Sequence, residues 1–246
     1  LNETLLTTAL PSIMKDFHIQ YSQVQWLTTA FLLTNGVVIP LSALVIQRFT
    51  TRQVFLTGIL IFFVGTIVGG FSPNFTTLLF ARIVQALGSG IMMPLMMTSI
   101  LDIFEPHERG KYMGFFGLVI GLAPAIGPTL SGYLVEYFNW RSLFHVVAPI
   151  AAITFIIALF TVKNVGQNIK VPIDVISIIL SILGFGGLLY GTSSISHDGW
   201  DDPIVLSTII GGIILVVLFI WRQSRLDTPL LNFGVFKNKQ FTIGLL

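Results

Sequence analysis

The 246-residue chain contains no cysteine, which excludes a disulfide framework, a thiol nucleophile and a cysteine-ligated zinc. Charge is almost as scarce, at 10% of residues against about 25% in average proteins. A water-soluble domain of this size could not cover its surface with so few charges. The net charge of +2 is too small to suggest a nucleic-acid partner. No phosphate-binding loop is present, which argues against an ATP-driven pump. No Ser/His/Asp set points to hydrolysis, so an enzyme is not expected. His197, Asp198, Asp201 and Asp202 lack a metal-ligand spacing and read as a plain external loop. No metal or cofactor is expected, and no cleavable signal peptide is visible.

What the chain has instead is apolar length. Hydrophobic residues make up 54% of it, and the mean hydropathy is +0.87. The first apolar run, Leu1 to about Met14, reads as the remainder of a helix. Further runs fall near Trp26–Ile46, Val54–Phe71, Thr77–Leu101, Tyr112–Val135, Leu143–Val162, Ile173–Thr192 and Ile204–Trp221. These match the roughly 30 Å of bilayer hydrocarbon, which takes about 20 helical residues to cross. Short connections make successive spans antiparallel neighbours. The chain opens inside an apolar helix and closes on a fresh apolar start at Phe241–Leu246. It is therefore expected to be a fragment cut at both ends.

Lys and Arg set the orientation. Arg48, Arg52, Arg109, Lys111, Lys163, Lys170, Arg222, Arg225, Lys237 and Lys239 all fall on alternate connections. The opposite side holds only Lys15 and Arg141, and Arg82 lies within a span. The basic side is the cytoplasmic one, and the expected location is a cell membrane crossed many times. Asp202-Pro203 and Pro172-Ile173-Asp174 carry helix-start chemistry. Glycines within spans, among them Gly117/Gly121, Gly187/Gly191 and Gly211/Gly212, suit close helix contact in lipid. Asn74-Phe75-Thr76 matches a glycosylation sequon, but its loop is too short and close to the membrane to count.

Several ordered motifs resemble one family. Asn2-Glu3-Thr4 with Ala9-Leu10-Pro11 is similar to the first-span motif of the fourteen-span drug/proton antiporters of the major facilitator superfamily. Leu78-x-x-x-Arg82-x-x-Gln85-Ala86-Leu87-Gly88 resembles their fourth-span motif. Gly117-x-x-x-Gly121-x-x-Pro124-Ala125-x-Gly127-Pro128-x-x-Ser131-Gly132 resembles their fifth-span antiporter motif. Trp140-Arg141-x-x-Phe144 with Pro149, and Pro229-Leu230-Leu231 with Phe236-Lys237-Asn238, extend the likeness across the chain. Gln47 and Thr50 stand where that family shows Asp and Gly in the loop after the second span, while Arg48 and Arg52 of the loop remain.

The resemblance implies an all-α membrane protein, the amino-terminal six-helix half of a major facilitator bundle plus two extra linker helices. The expected divisions are 1–163 for the bundle, 164–222 for the linker helices and 223–246 for a cytoplasmic link into a missing carboxyl-terminal half. It implies proton-coupled efflux of lipophilic or cationic drugs, with the fragment inactive alone. Import of a solute with protons, or a non-transporting receptor or assembly subunit on the same scaffold, are the alternatives.

Glu3 is the leading site candidate. It lies about 16 Å below the outer end of its helix at 1.5 Å per residue, near the bilayer midplane. An ionisable group there costs about 2.5–3.5 kcal/mol on insertion scales, so it either handles protons and cationic drug or is a satisfied packing residue. Its neighbour Asn2 stands where the family motif often has Asp, about 100° away around the helix. Arg82 and Gln85, on a span that lines the family's central cavity, either tune a nearby carboxylate or are structural. The Gly117, Gly121, Pro124, Gly127 and Pro128 run removes two helix hydrogen bonds and permits bending. It reads as a gate or as a permanent kink. Met92, Met93, Met96 and Met97 either line an adaptable cavity or pack ordinarily.

Overall fold

A computed structural model describes residues 2–165 and 174–226, with 196–198 described by their backbone alone. Lys170, Pro172, Ile173, Lys237, Lys239 and all but the first residues of the expected link 223–246 lie outside the described residues. Among those described there are eight helices and no strand: α1 (Asn2–Phe17), α2 (Tyr21–Arg48), α3 (Thr51–Gly70), α4 (Phe75–Ile103), α5 (Pro106–Tyr137), α6 (Ser142–Thr161), α7 (Val175–Asp198) and α8 (Pro203–Gln223). All but α1, which has 16 residues, are long and apolar enough to cross a membrane. Their outward faces are apolar: Phe160 is 83% exposed and Phe115 68%. Water would not tolerate such surfaces over every helix, whereas lipid does.

Local chemistry places the helix starts. Thr50 caps α3 in a reciprocal box with Gln53, which satisfies two backbone donors. Asn74 caps α4, accepting from the Thr77 backbone N–H and hydroxyl, each at 2.9 Å; its side chain is occupied by that role. Pro106 opens α5 and Pro203 opens α8, where a missing N–H costs nothing. Asp202 accepts from the N–H groups of Ile204 and Val205. One expectation changes: α7 runs past Thr192 to Asp198, so His197 and Asp198 belong to a helix and not to a loop. The helix ends where Gly199 takes φ +83°, a conformation open to glycine without strain.

The described residues form two compact units. The first takes α1, the part of α2 up to Asn35, and α3 to α6. Its core gathers Leu5, Leu6, Ala9, Leu10 and Ile13, one stripe of α1, against Val24, Leu27, Leu78, Leu134, Trp140, Leu143 and Phe144.

The second unit takes the rest of α2, Gly36–Arg48, with α7 and α8. Here α7 and α8 meet through glycine: a Cβ at Gly212 would stand 2.7 Å from the Leu188 nitrogen. Arg222 closes one end of this hairpin, donating from Nε and Nη2 to Asp174 at 2.8 and 2.9 Å. Those bonds hold the Asp174 carboxyl down at about 2.

Candidate functional site

The site is built from the buried stripe of α4. Leu78, Ala81, Arg82, Gln85 and Ala86 recur at helical spacing on one face, and that face is apolar except for Arg82 and Gln85. Arg82 is fully buried. Its Nη1 donates to Asn2 Oδ1 at 3.0 Å and to Gln85 Oε1 at 2.9 Å, and its Nε to the Leu27 carbonyl at 3.4 Å. The guanidinium carbon lies 4.0 Å from the centre of the Phe31 ring, a cation–π distance. Gln85 passes the chain on, donating to Thr66 Oγ1 at 2.8 Å, and Thr66 donates to the Phe62 carbonyl at 2.7 Å. Gly65 permits this approach, since a Cβ there would fall 2.7 Å from the Gln85 nitrogen.

A polar line therefore joins α1, α2, α4 and α3 through an apolar core. Two donors within it have no partner: Arg82 Nη2 and Asn2 Nδ2. A buried cation ordinarily sits beside an anion, yet among the described residues no carboxylate lies within ion-pair distance of Arg82. Glu3 is half-buried and within Coulombic range of the guanidinium, but makes no hydrogen bond or ion pair among the described residues. The structure thus brings Asn2, Arg82 and Gln85 into contact and leaves Glu3 close by, on a different side of α1.

The fifth-span run divides into two faces. Gly127 lies tight against Thr4, and Ser131 donates to the Leu5 carbonyl at 2.6 Å, so this part of α5 is packed on α1. Around Gly117 and Gly121 an added Cβ would meet nothing within 4 Å, and Pro124 and Pro128 are exposed. The helix continues unbroken through both prolines. The methionines likewise do not share one surface. Met92 fills the space over Gly58, Met96 borders a cavity between α3, α4 and α6, and Met93 and Met97 are exposed. In the loop between α2 and α3, Arg48 is exposed. Arg52 donates from Nη2 to the Leu159 carbonyl at 2.7 Å and from its backbone to Asn164 Oδ1 at 3.3 Å.

One cluster escaped the sequence reading. At the carboxyl-terminal end of α1, Asp16 accepts from Trp140 Nε1 at 3.0 Å and Arg141 Nη1 at 2.8 Å. Arg141 also donates to the Ser72 carbonyl at 3.1 Å and lies over the Trp140 ring at 4.2 Å. Three segments distant in sequence are fastened there. The signal was available: an Asp just beyond a span, and Trp-Arg just before another.

Comparison with known proteins completes the frame. The profile of the Major Facilitator Superfamily matches residues 1–236. The chain belongs to the Major Facilitator Superfamily. It is an all-helical, multi-pass protein of the cell membrane and corresponds to the amino-terminal half of that fold. It is 53% identical over its whole length to the uncharacterized MFS-type transporter YcnB of Bacillus subtilis, covering 52% of that protein. It is 43% identical to the lincomycin resistance protein LmrB of B. subtilis, again over 100% of the chain and 52% of the relative. With the puromycin resistance protein pur8 of Streptomyces alboniger the identity is 31%, over 97% of the chain and 48% of the relative. The chain thus spans about half the length of the curated relatives it matches.

Proposed function

We propose that this chain is the amino-terminal half of a proton-coupled exporter of lipophilic or cationic drugs, acting with a carboxyl-terminal half of similar length. The observation that carries the reading is Arg82: a fully buried cation with a free Nη2, bonded to neutral Asn2 and Gln85, with the ionisable Glu3 in Coulombic range. The names of the relatives, for lincomycin and puromycin resistance, supply the substrate class.

Within the membrane an ionised Glu3 needs a positive neighbour. Arg82 and a cationic drug are two such neighbours, and a proton is the third way to relieve the charge. Proton entry from outside therefore competes with drug for Glu3 and releases it, which is antiport by exchange at one carboxylate. Asn2 and Gln85 hold the guanidinium on its side of the helix, so its field stays aimed while the halves rock around the midplane. The open face of α5, carrying Gly117, Gly121, Pro124 and Pro128, is the segment free to bend as the gate.

The test uses the full-length protein in inside-out vesicles energised inside-acid, with ethidium added. Ethidium should dissipate the gradient in wild type and fail to do so in Glu3→Gln. A response that survives Glu3→Gln moves the coupling group elsewhere. Silence of a well-inserted wild type across a broad drug panel overturns export in favour of solute import or a non-transporting receptor.

A further inference from the structure

Away from the Arg82 line, at the end where α3 begins and α4 and α6 finish, lies a cavity of 390 Å³. That size is within the range of small-molecule sites. Its floor and walls are apolar, from Phe55 of α3 and Leu95, Ile100 and Ile103 of α4. Leu95 and Ile100 are buried, whereas Thr161 and Lys163 at the far side are exposed, so the cavity deepens from a polar rim to an apolar floor.

The polar groups on the lining are mostly spent. Thr51 donates to the Val165 carbonyl, Ser99 to Leu95 and Thr161 to Ile157. Arg52 beside it is committed to Leu159. Lys163 remains, with no hydrogen bond or ion pair among the described residues, as the free donor and the charge on the lining. An apolar slot with one unpaired ammonium at its mouth selects an amphiphile with an aliphatic tail and an anionic head. A cationic drug would be repelled, and a small polar anion would gain nothing from the floor.

The distribution of Lys and Arg places this end in the cytoplasmic leaflet, where anionic lipids attract basic residues. We propose that the cavity holds an acyl chain of one anionic phospholipid from that leaflet, its phosphate on Lys163. The lipid would wedge the ends of α3, α4 and α6 together, away from the drug path, and this inference does not depend on the efflux reading.

The experiment is native mass spectrometry of the full-length protein in non-ionic detergent. It compares phosphatidylglycerol with phosphatidylcholine of identical acyl chains. One phosphatidylglycerol should be retained in preference to phosphatidylcholine. Lys163→Gln should lower that preference about fivefold, the worth of one lysine at an anionic surface, and Lys163→Arg should keep it. Ser99→Phe, which fills the slot and leaves Lys163 in place, should expel the lipid from a protein that still elutes as a single species. Equal retention of both lipids by wild type would overturn the proposal. So would an undiminished preference in Lys163→Gln, or full retention in Ser99→Phe.

Discussion

Arg82 shows how much a single side chain can organise in a membrane. A guanidinium has five N–H donors in a planar fork, and here Nε reaches α2 while Nη1 bridges α1 and its own helix. Lysine offers three donors from one point and cannot span acceptors set apart around the edge of a planar fork. Hydrogen bonds to charged groups contribute about 1.5–3 kcal/mol each. Arg82→Lys is therefore expected to lower ethidium efflux at least about tenfold, at unchanged membrane levels. Efflux per inserted protein is the measurement, and a value within twofold of wild type would show that charge alone suffices. The role of Glu3 was argued from depth, which sequence supplies through helical rise. That Asn2 and not Glu3 touches Arg82 depends on how α1 is rotated about its axis. Tertiary packing sets that angle, chiefly the stripe from Leu5 to Ile13 and the contacts of Thr4 and Leu5 with α5.

For helices, α5 is the informative case. Its glycines look equivalent in the sequence, yet Gly127 is pressed on Thr4 and Gly121 faces open space. A methyl group at 127 must displace α1 or α5, and overpacking of this kind costs about 1–3 kcal/mol. Gly127→Ala should lower the midpoint of thermal unfolding of this chain in detergent. Gly121→Ala should leave that midpoint unchanged. Equal effects would mean that helix propensity, and not contact, governs both sites. Helix starts were legible where a cap is a local bond between residues two or three apart: Asp174 and Asp202 each announce the helix that follows, whereas Thr50 and Asn74 cap α3 and α4 at positions the sequence offered for other reasons. The far end of α7 was less legible. Nothing in Ser193 to Ser196 opposes a helix, and the stop is the positive φ of Gly199.

At the scale of the whole chain, the asymmetry of Lys and Arg makes a claim that the absence of cysteine from these 246 residues helps to test. Gln20 and Lys111 are both exposed, at opposite ends of the spans. In intact cells, a membrane-impermeant maleimide should label Gln20→Cys directly. Lys111→Cys should be labelled only after permeabilisation. The reverse pattern would invert the topology and place the Lys163 cavity in the outer leaflet.

The sequence alone determined that the protein lives in lipid, where most of its spans fall and which family it belongs to. Those properties follow from composition, run length and short motifs, all of which are local or additive along the chain. Tertiary structure decided which residues meet. It joined Asn2 to Arg82, Asp16 to Arg141 and Arg222 to Asp174, and grouped Gly36–Arg48 with α7 and α8 while the start of α2 stayed with α1. Contacts between distant helices depend on rotation and crossing angle. In lipid those are set by close packing of small residues, a cooperative property that no short window of sequence contains.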